Sequence, residues 1–341
     1  MRRLIVEHRT RYRYAEPVQF GQHRLMLRPR DSHGLRLHEA RLTLSPTGEV
    51  KYIYDVFGNS IALVDFHGPA SELSIESILE LDSYETPDLQ ILLDPAAATY
   101  PFVYSSEDRF EASQMLTPHY HDDGQVRLWL QRFVTPGQSV GTLELVEAIN
   151  AAIKTDFTYN ARVEEGTQSP ARTLELGSGT CRDFALLFIE AVRELGFAAR
   201  FVTGYLYTSH LDLNLSSQDD EVKGAGATHA WAEVYLPGAG WIDFDPTNGL
   251  IGTDHLVRVA VVRDPRQASP IVGSFFSENP SAFLGMEVEV FVSTRLSSPL
   301  REERAGAGSA PTDEGVGDHG VGDEGVPEDG VEEREVASVP A

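Results

Sequence analysis

One cysteine in 341 residues, Cys181, excludes an intrachain disulfide and any zinc site built from several thiolates, and it suits a reducing compartment. No apolar run approaches the roughly 20 residues that a membrane-spanning helix needs, so no membrane partner is expected. Basic residues are outnumbered, 28 against 52 acids, and the formal net charge is −24. A chain of that sign excludes general binding to nucleic acid, which relies on clustered Lys and Arg. The opening MRRLIVEHRTRYRY lacks the unbroken apolar centre of a secretory signal and alternates as a first strand would. A cytoplasmic location is the expectation.

What is present suffices for a core: 41% of residues are hydrophobic and 9% aromatic, ordinary for a globular chain with room for two domains or one domain and a tail. Residues 1–85 read with period two between Pro, Gly and Asn punctuation, as an N-terminal antiparallel β domain. Residues 86–141 form an irregular, proline-bearing connector with a short helical piece around Val126 to Phe133. Residues 142–300 hold two amphipathic helices, the first opening at Thr142 with that residue as its cap, and several strands, among them Leu256 to Val262 and Met286 to Val292. Ser209 to Thr228 is polar and aperiodic and reads as a mobile loop. Residues 301–341 carry an imperfect five-residue repeat of acid and glycine, beginning at Asp313, which buries too little apolar surface to offset chain entropy and is expected to be disordered. Its spacing does not match glycine-rich calcium repeats.

The lone cysteine stands in Gly177-Ser178-Gly179-Thr180-Cys181-Arg182-Asp183-Phe184-Ala185. Thr180 and Asp183 have capping-box spacing, with Asp in place of the preferred Glu, so Thr180 is read as N-cap and Cys181 as the first helical residue. Unpaired amides at a helix start favour negative charge, which for a thiol is the nucleophilic form. Phe184, Leu187, Phe188, Ala191, Val192 and Leu195 form one apolar stripe below it, and Gly196 closes the helix. A buried, inert cysteine is the plain alternative.

A nucleophilic thiol needs a base, and the base an orienting group. Among eleven histidines, His229 opens the strand Thr228 to Leu236, which Pro237-Gly238-Ala239-Gly240 turns back into Trp241 to Thr247 with Asp245 near its end. If Leu236 paired with Trp241, His229 and Asp245 would face opposite ways; the register shifted by one residue, or a bulge, restores one face and is the one predicted. Asp243 shares the parity of Asp245 and is a rival orienter. The plain readings are a satisfied core histidine beside Trp231 and a turn initiator ahead of Pro246. His119-Tyr120-His121-Asp122-Asp123 also offers metal-ligand types, but a polar turn gives the same letters and no further ligand set stands at metal-site spacing, so neither metal nor cofactor is expected.

Three blocks, Gly179-Thr180-Cys181-Arg182-Asp183-Phe184-Ala185, His229 through Gly238, and Gly240-Trp241 through Phe244-Asp245-Pro246-Thr247-Asn248, make the sequence resemble the transglutaminase-like superfamily, in its bacterial branch with an N-terminal β domain. The resemblance spans about Thr142 to Leu250, with weaker support from the β-rich start. It implies an α+β fold, a papain-like or transglutaminase-like core in which the cysteine helix packs on an antiparallel sheet. It implies Cys181 as nucleophile, His229 as base and then acid, Asp245 as orienter, and acyl transfer on a peptide or protein amide. Asp243 stands where relatives often have a small residue. Tyr159, as a second oxyanion donor, and Trp231 are candidate substrate-binding residues. Hydrolysis is expected ahead of cross-linking, since no acceptor-amine site is visible. A non-catalytic binding module on the same fold is the alternative.

Overall fold

The computed structural model describes residues 1–84, 91–160, 166–207, 228–252, 255–295 and 338–339. Six strands open the chain: β1 (Arg2–Phe20), β2 (His23–Arg28), β3 (Leu35–Ser45), β4 (Gly48–Tyr54), β5 (Ser60–Phe66) and β6 (Ala70–Ser83). A stretch with little regular structure carries β7 (Thr99–Tyr100), three short helices α1 (Ser106–Glu111), α2 (Ser113–Leu116) and α3 (Gln125–Leu130), and β8 (Val140–Gly141). There follow α4 (Thr142–Asp156), β9 (Thr158–Tyr159), α5 (Pro170–Leu176), β10 (Ser178–Gly179), α6 (Cys181–Glu194), β11 (Ala199–Leu206), β12 (His229–Leu236), β13 (Gly240–Asp245), β14 (Leu250–Ile251) and β15 (Leu256–Val262). β16 (Ile271–Phe276), β17 (Phe283–Arg295) and the two-residue β18 (Ser338–Val339) complete the strands among the described residues, and two single 3-10 turns stand at Pro95–Ala97 and Pro265–Gln267. The Ser209 to Thr228 loop, Thr228 itself apart, and the acidic tail, β18 apart, lie outside the described residues.

The first sheet is antiparallel, ordered β3-β6-β1-β16-β2-β5-β4, with β17 also paired to β1 and β18 to β16. Alternation along β1 explains its two faces: Leu4, Val6, Tyr12 and Tyr14 are buried, while Arg3, Arg9, Arg11 and Arg13 point outward. These arginines meet acids on both neighbouring strands, Arg9 with Glu76 of β6 and Glu289 of β17, Arg11 with Glu72 and Glu287, and Arg13 with Glu287. Opposite charges facing across adjacent strands favour one register over its neighbours, although exposed pairs contribute little stability each. β16 and β17 lie within the stretch 142–300, yet their partners are β1 and β2. The N-terminal sheet is therefore closed by chain from beyond residue 270.

The second sheet, ordered β14-β13-β12-β11-β15, is antiparallel throughout. On one face α6 packs Phe184, Leu187, Phe188 and Val192 against Ala230, Ala232, Val234 and Phe244 in a single core. Each such large apolar side chain contributes about 1.5–3 kcal/mol by leaving water. Tyr205, Tyr207, Val257 and Val259 join Leu4, Val6, Leu79 and Leu81 in another cluster, which fastens the two sheets together. Asn59 reinforces that contact as a two-point clamp, donating to the Val261 carbonyl at 2.7 Å and accepting from its N–H at 2.9 Å.

Thr142 is the first residue of α4, not its cap; Gly141 holds that place, and the Thr142 N–H donates to the Ala98 carbonyl at 3.0 Å. The His119 to Asp123 segment is a turn tied to α6. The N–H groups of His119 and Tyr120 donate to buried Glu190 at 2.7 and 3.0 Å, and Asp122 accepts from Gly124 and Val126 at the start of α3. Among the described residues no group of three His, Cys, Asp or Glu could hold a metal ion, and no helix is long and apolar enough to cross a membrane.

Candidate active site

Cys181 arrives at the site through a turn that only glycine accommodates. Gly177 closes α5 with φ of 59°, a left-handed conformation that side chains disfavour. A Cβ on Gly179 would stand 2.8 Å from that of Asp183, so the residue that finishes the helix start also forbids a side chain there. The Asp183 carboxylate, fully buried, accepts from the Thr180 N–H at 2.8 Å and the Thr180 hydroxyl at 3.0 Å. Its second oxygen accepts from the Gln168 N–H at 2.6 Å. Asp183 thus binds the approach chain to the first turn of α6 and leaves Cys181 as the first helical residue, as its sequence setting predicts. β9 and β10 pair in parallel with Gly179 opposite Tyr159, which brings Tyr159 beside this turn.

The β12–β13 hairpin pairs Leu236 with Gly240, Val234 with Ile242 and Glu233 with Asp243. This is the predicted register, and it places His229 and Asp245 on one face. His229 Nε2 lies 2.8 Å from Asp245 Oδ2, both side chains wholly buried. Asp245 ends its strand, where the Pro246-Thr247-Asn248 turn wraps its carboxylate. The N–H groups of Thr247 and Asn248 donate to Oδ1 at 2.9 and 3.3 Å, and Asn248 Nδ2 donates to Oδ2 at 2.8 Å. Sequence reasoning left Thr247 and Asn248 without a role. The signal was the Asp-Pro-Thr-Asn string, an Asx-type turn whose acceptor is the Asp245 carboxylate.

Burial alone would push the His229 pKa down. The charge and hydrogen bond of Asp245 oppose it, and Cys181, close enough to act on the ring by hydrogen bond and charge, adds to them, so the value is pushed up to about 10. For Asp245, burial acts upward but the same imidazole, with Asn248 and the Thr247 N–H, holds the carboxylate below its usual range. The remaining ring nitrogen, Nδ1, is buried and among the described residues has no hydrogen bond of ordinary geometry. That is the nitrogen available to a thiol.

Asp243, the rival orienter, does not reach His229. Its Oδ1 accepts from the indole Nε1–H of Trp231 at 2.5 Å, and the Trp231 ring stacks on the His229 imidazole with centroids 6.0 Å apart at 25°.

The family described as bacterial transglutaminase-like N-terminal region matches residues 4–82, and the family described as transglutaminase-like superfamily matches residues 130–246, which include Cys181, His229 and Asp245. The chain belongs to the transglutaminase-like superfamily. An uncharacterised protein of Mycobacterium tuberculosis is 29% identical over 294 residues, covering 84% of this chain and 91% of its own, and one of Mycobacterium leprae is 27% identical over 308 residues, covering 87% and 100%. A solved structure from Cytophaga hutchinsonii, of a protein proposed to be a cysteine protease, is 21% identical and has a TM-score of 0.60 over 89% of this chain and 94% of that one. The α+β fold is shared with it.

Within this transglutaminase-like core the two candidate substrate-binding residues are placed differently. Tyr159 is half-buried with its ring edge-on to Phe184, and burial first, then the charges of Cys181, Asp183 and Asp245, push its hydroxyl up to about 12. It is a neutral O–H beside the thiol. Trp231 is 0% exposed. It stands against the imidazole as a backing ring.

Proposed function

We propose that this chain catalyses thiol-dependent acyl transfer on the amide bonds of peptides or proteins, with Cys181 as nucleophile, His229 as base and then acid, and Asp245 as orienter. The observation that carries the reading is the division of labour on one imidazole. Nε2 is engaged by a buried carboxylate, and Nδ1 is left for the thiol that a capped helix start presents. In this scheme the thiolate attacks the amide carbonyl carbon, and the oxyanion is met by the Cys181 N–H and the Tyr159 hydroxyl. Protonated His229 gives its proton to the leaving nitrogen as the C–N bond breaks, which leaves a thioester. Neutral His229 then takes a proton from water, whose oxygen displaces the sulfur as a carboxylic acid; a primary amine in place of that water gives transamidation. A lone cysteine fits a reducing compartment such as the cytoplasm.

The test uses iodoacetamide at pH 6, where an ordinary thiol is almost wholly protonated. Labelling of the single cysteine should be fast and should be lost in His229→Ala. Labelling no faster than a free thiol would favour the alternative, a binding module without catalysis. A glutamine peptide offered with and without a primary amine then separates hydrolysis from transamidation by the ratio of ammonia to adduct. Adduct in excess of hydrolysis reverses the preference for hydrolysis.

A further inference from the structure

β12 and β13 carry the same diagonal contact twice. His229 reaches across to Asp245, and two residues further along β12 Trp231 reaches across to Asp243. The first contact fixes one end of the imidazole by a single hydrogen bond, which does not by itself set the tilt of the ring about that end. The stacked indole of Trp231 closes one side against such a tilt. The indole packs among Val202, Leu206, Leu256 and Val261, and its one polar group donates to a carboxylate at a position that the remaining geometry does not require to be acidic.

We propose that Asp243 is a positioning residue for the Cys181 and His229 pair, acting through the indole of Trp231. The proposal rests on the reading of those two residues as nucleophile and base.

The surroundings of Asp243 make this brace responsive to pH. It faces Glu233 directly across the hairpin, and Glu233 in turn is held by Arg200 of β11 and Arg258 of β15. Arg30 and His33, from the segment joining β2 to β3, line the same cavity of about 250 Å³ onto which Asp243, Trp231 and Arg258 open, so protons can reach the carboxyl without unfolding. Burial first, and the charge of Glu233 second, raise Asp243 to about 7, against the Trp231 bond and the two arginines. Above that value the carboxylate holds the indole by a charge-assisted bond; below it, by a neutral one, which is weaker.

The experiment measures second-order rates of iodoacetamide labelling of Cys181 from pH 5 to 9, in the full chain and in folded fractions confirmed by circular dichroism. Asp243→Ala, which removes the acceptor, and Trp231→Phe, which keeps a ring but removes the donor, should each slow labelling at pH 6 by about 10- to 100-fold, the usual effect of losing sub-ångström placement. The double variant should lose no more than either single one, because both cut the same link. Asp243→Asn, whose amide oxygen still accepts from the indole, should keep the rate at pH 6 within about threefold and lose the inflection near pH 7. Unchanged rates in both single variants, or full additivity in the double variant, overturns the proposal while His229→Ala still abolishes fast labelling. A wild-type thiol of ordinary reactivity overturns instead the underlying reading of Cys181 and His229.

Discussion

Asp245→Asn is nearly isosteric, and its consequence can be worked out atom by atom. The two carboxylate oxygens of Asp245 accept four hydrogen bonds, two each: His229 Nε2 and Asn248 Nδ2 on Oδ2, and the N–H groups of Thr247 and Asn248 on Oδ1. Whichever way the asparagine amide turns, its NH2 faces two donors that formerly had an acceptor. Each buried group left unsatisfied costs about 1–3 kcal/mol, and removing one member of a buried ion pair costs about 3–5 kcal/mol. The chain can relieve part of this if His229 gives up its Nε2 proton and accepts from the amide. The ring is then neutral with its proton on Nδ1, the nitrogen that must receive the proton of Cys181. With the Asp245 charge gone, burial, the largest influence on this ring, pulls the His229 pKa down from its wild-type level with only Cys181 left to oppose it, and the neutral tautomer gains at neutral pH. Urea unfolding should show a midpoint lowered in proportion, labelling of Cys181 at pH 6 should fall at least tenfold, and amide turnover should fall by up to a factor on the order of 10⁴. An Asp245→Asn variant with the wild-type midpoint and wild-type labelling would refute the claim that this carboxylate holds the imidazole.

Other expectations follow from the same geometry. Because His229 is raised above its unfolded value of 6.5 to about 10, its contribution to stability is complete below pH 6.5 and is lost as pH climbs through about 10. Thermal midpoints of the wild type should therefore decline across that window, and those of His229→Gln should decline less; parallel slopes would contradict it. Arg193 donates to Glu190 and to the carbonyls of Met115, Ala199 and Arg263, so Arg193→Leu leaves the buried Glu190 carboxylate without its counter-charge, held only by the His119 and Tyr120 N–H groups, and takes a donor from three carbonyls. A loss of about 3–5 kcal/mol in urea unfolding is expected, with cysteine labelling of the folded fraction unaltered. Deleting residues 301–341 removes only the pairing of Ser338 and Val339 with β16 among the described contacts, and the melting temperature should stay close to that of the full chain.

The chemistry of the site was legible because its parts are local. A threonine and an aspartate three apart around the single cysteine specify a helix start wherever they occur, and Asp183 does hold the Thr180 amide. The hairpin signal between Leu236 and Gly240 set two candidate strands side by side. Parity then reduced the outcome to two registers, of which the observed one pairs Leu236 with Gly240.

Which acid serves the histidine is another matter. Asp243 and Asp245 share a face, and sequence parity treats them alike. The strand stagger gives Asp245 to His229 and Asp243 to Trp231, and the wrapping of Asp245 by Thr247 and Asn248 fixes that choice. Trp231, read as a residue facing substrate, is fully buried because its strand is covered on both sides, a condition that no local pattern encodes.

By itself the sequence determined the thiol, its helix, the hairpin and the β-rich start, since each depends on residues within a few positions of one another. The tertiary structure alone decided three things. It carried β16 and β17 back to close the sheet begun by β1, it tied the polar turn at His119 to Glu190, and it divided two neighbouring acids between an imidazole and an indole. Each depends on pairing between groups far apart in the chain, where specificity comes from burial and from hydrogen bonds that form only after the two sheets have come together.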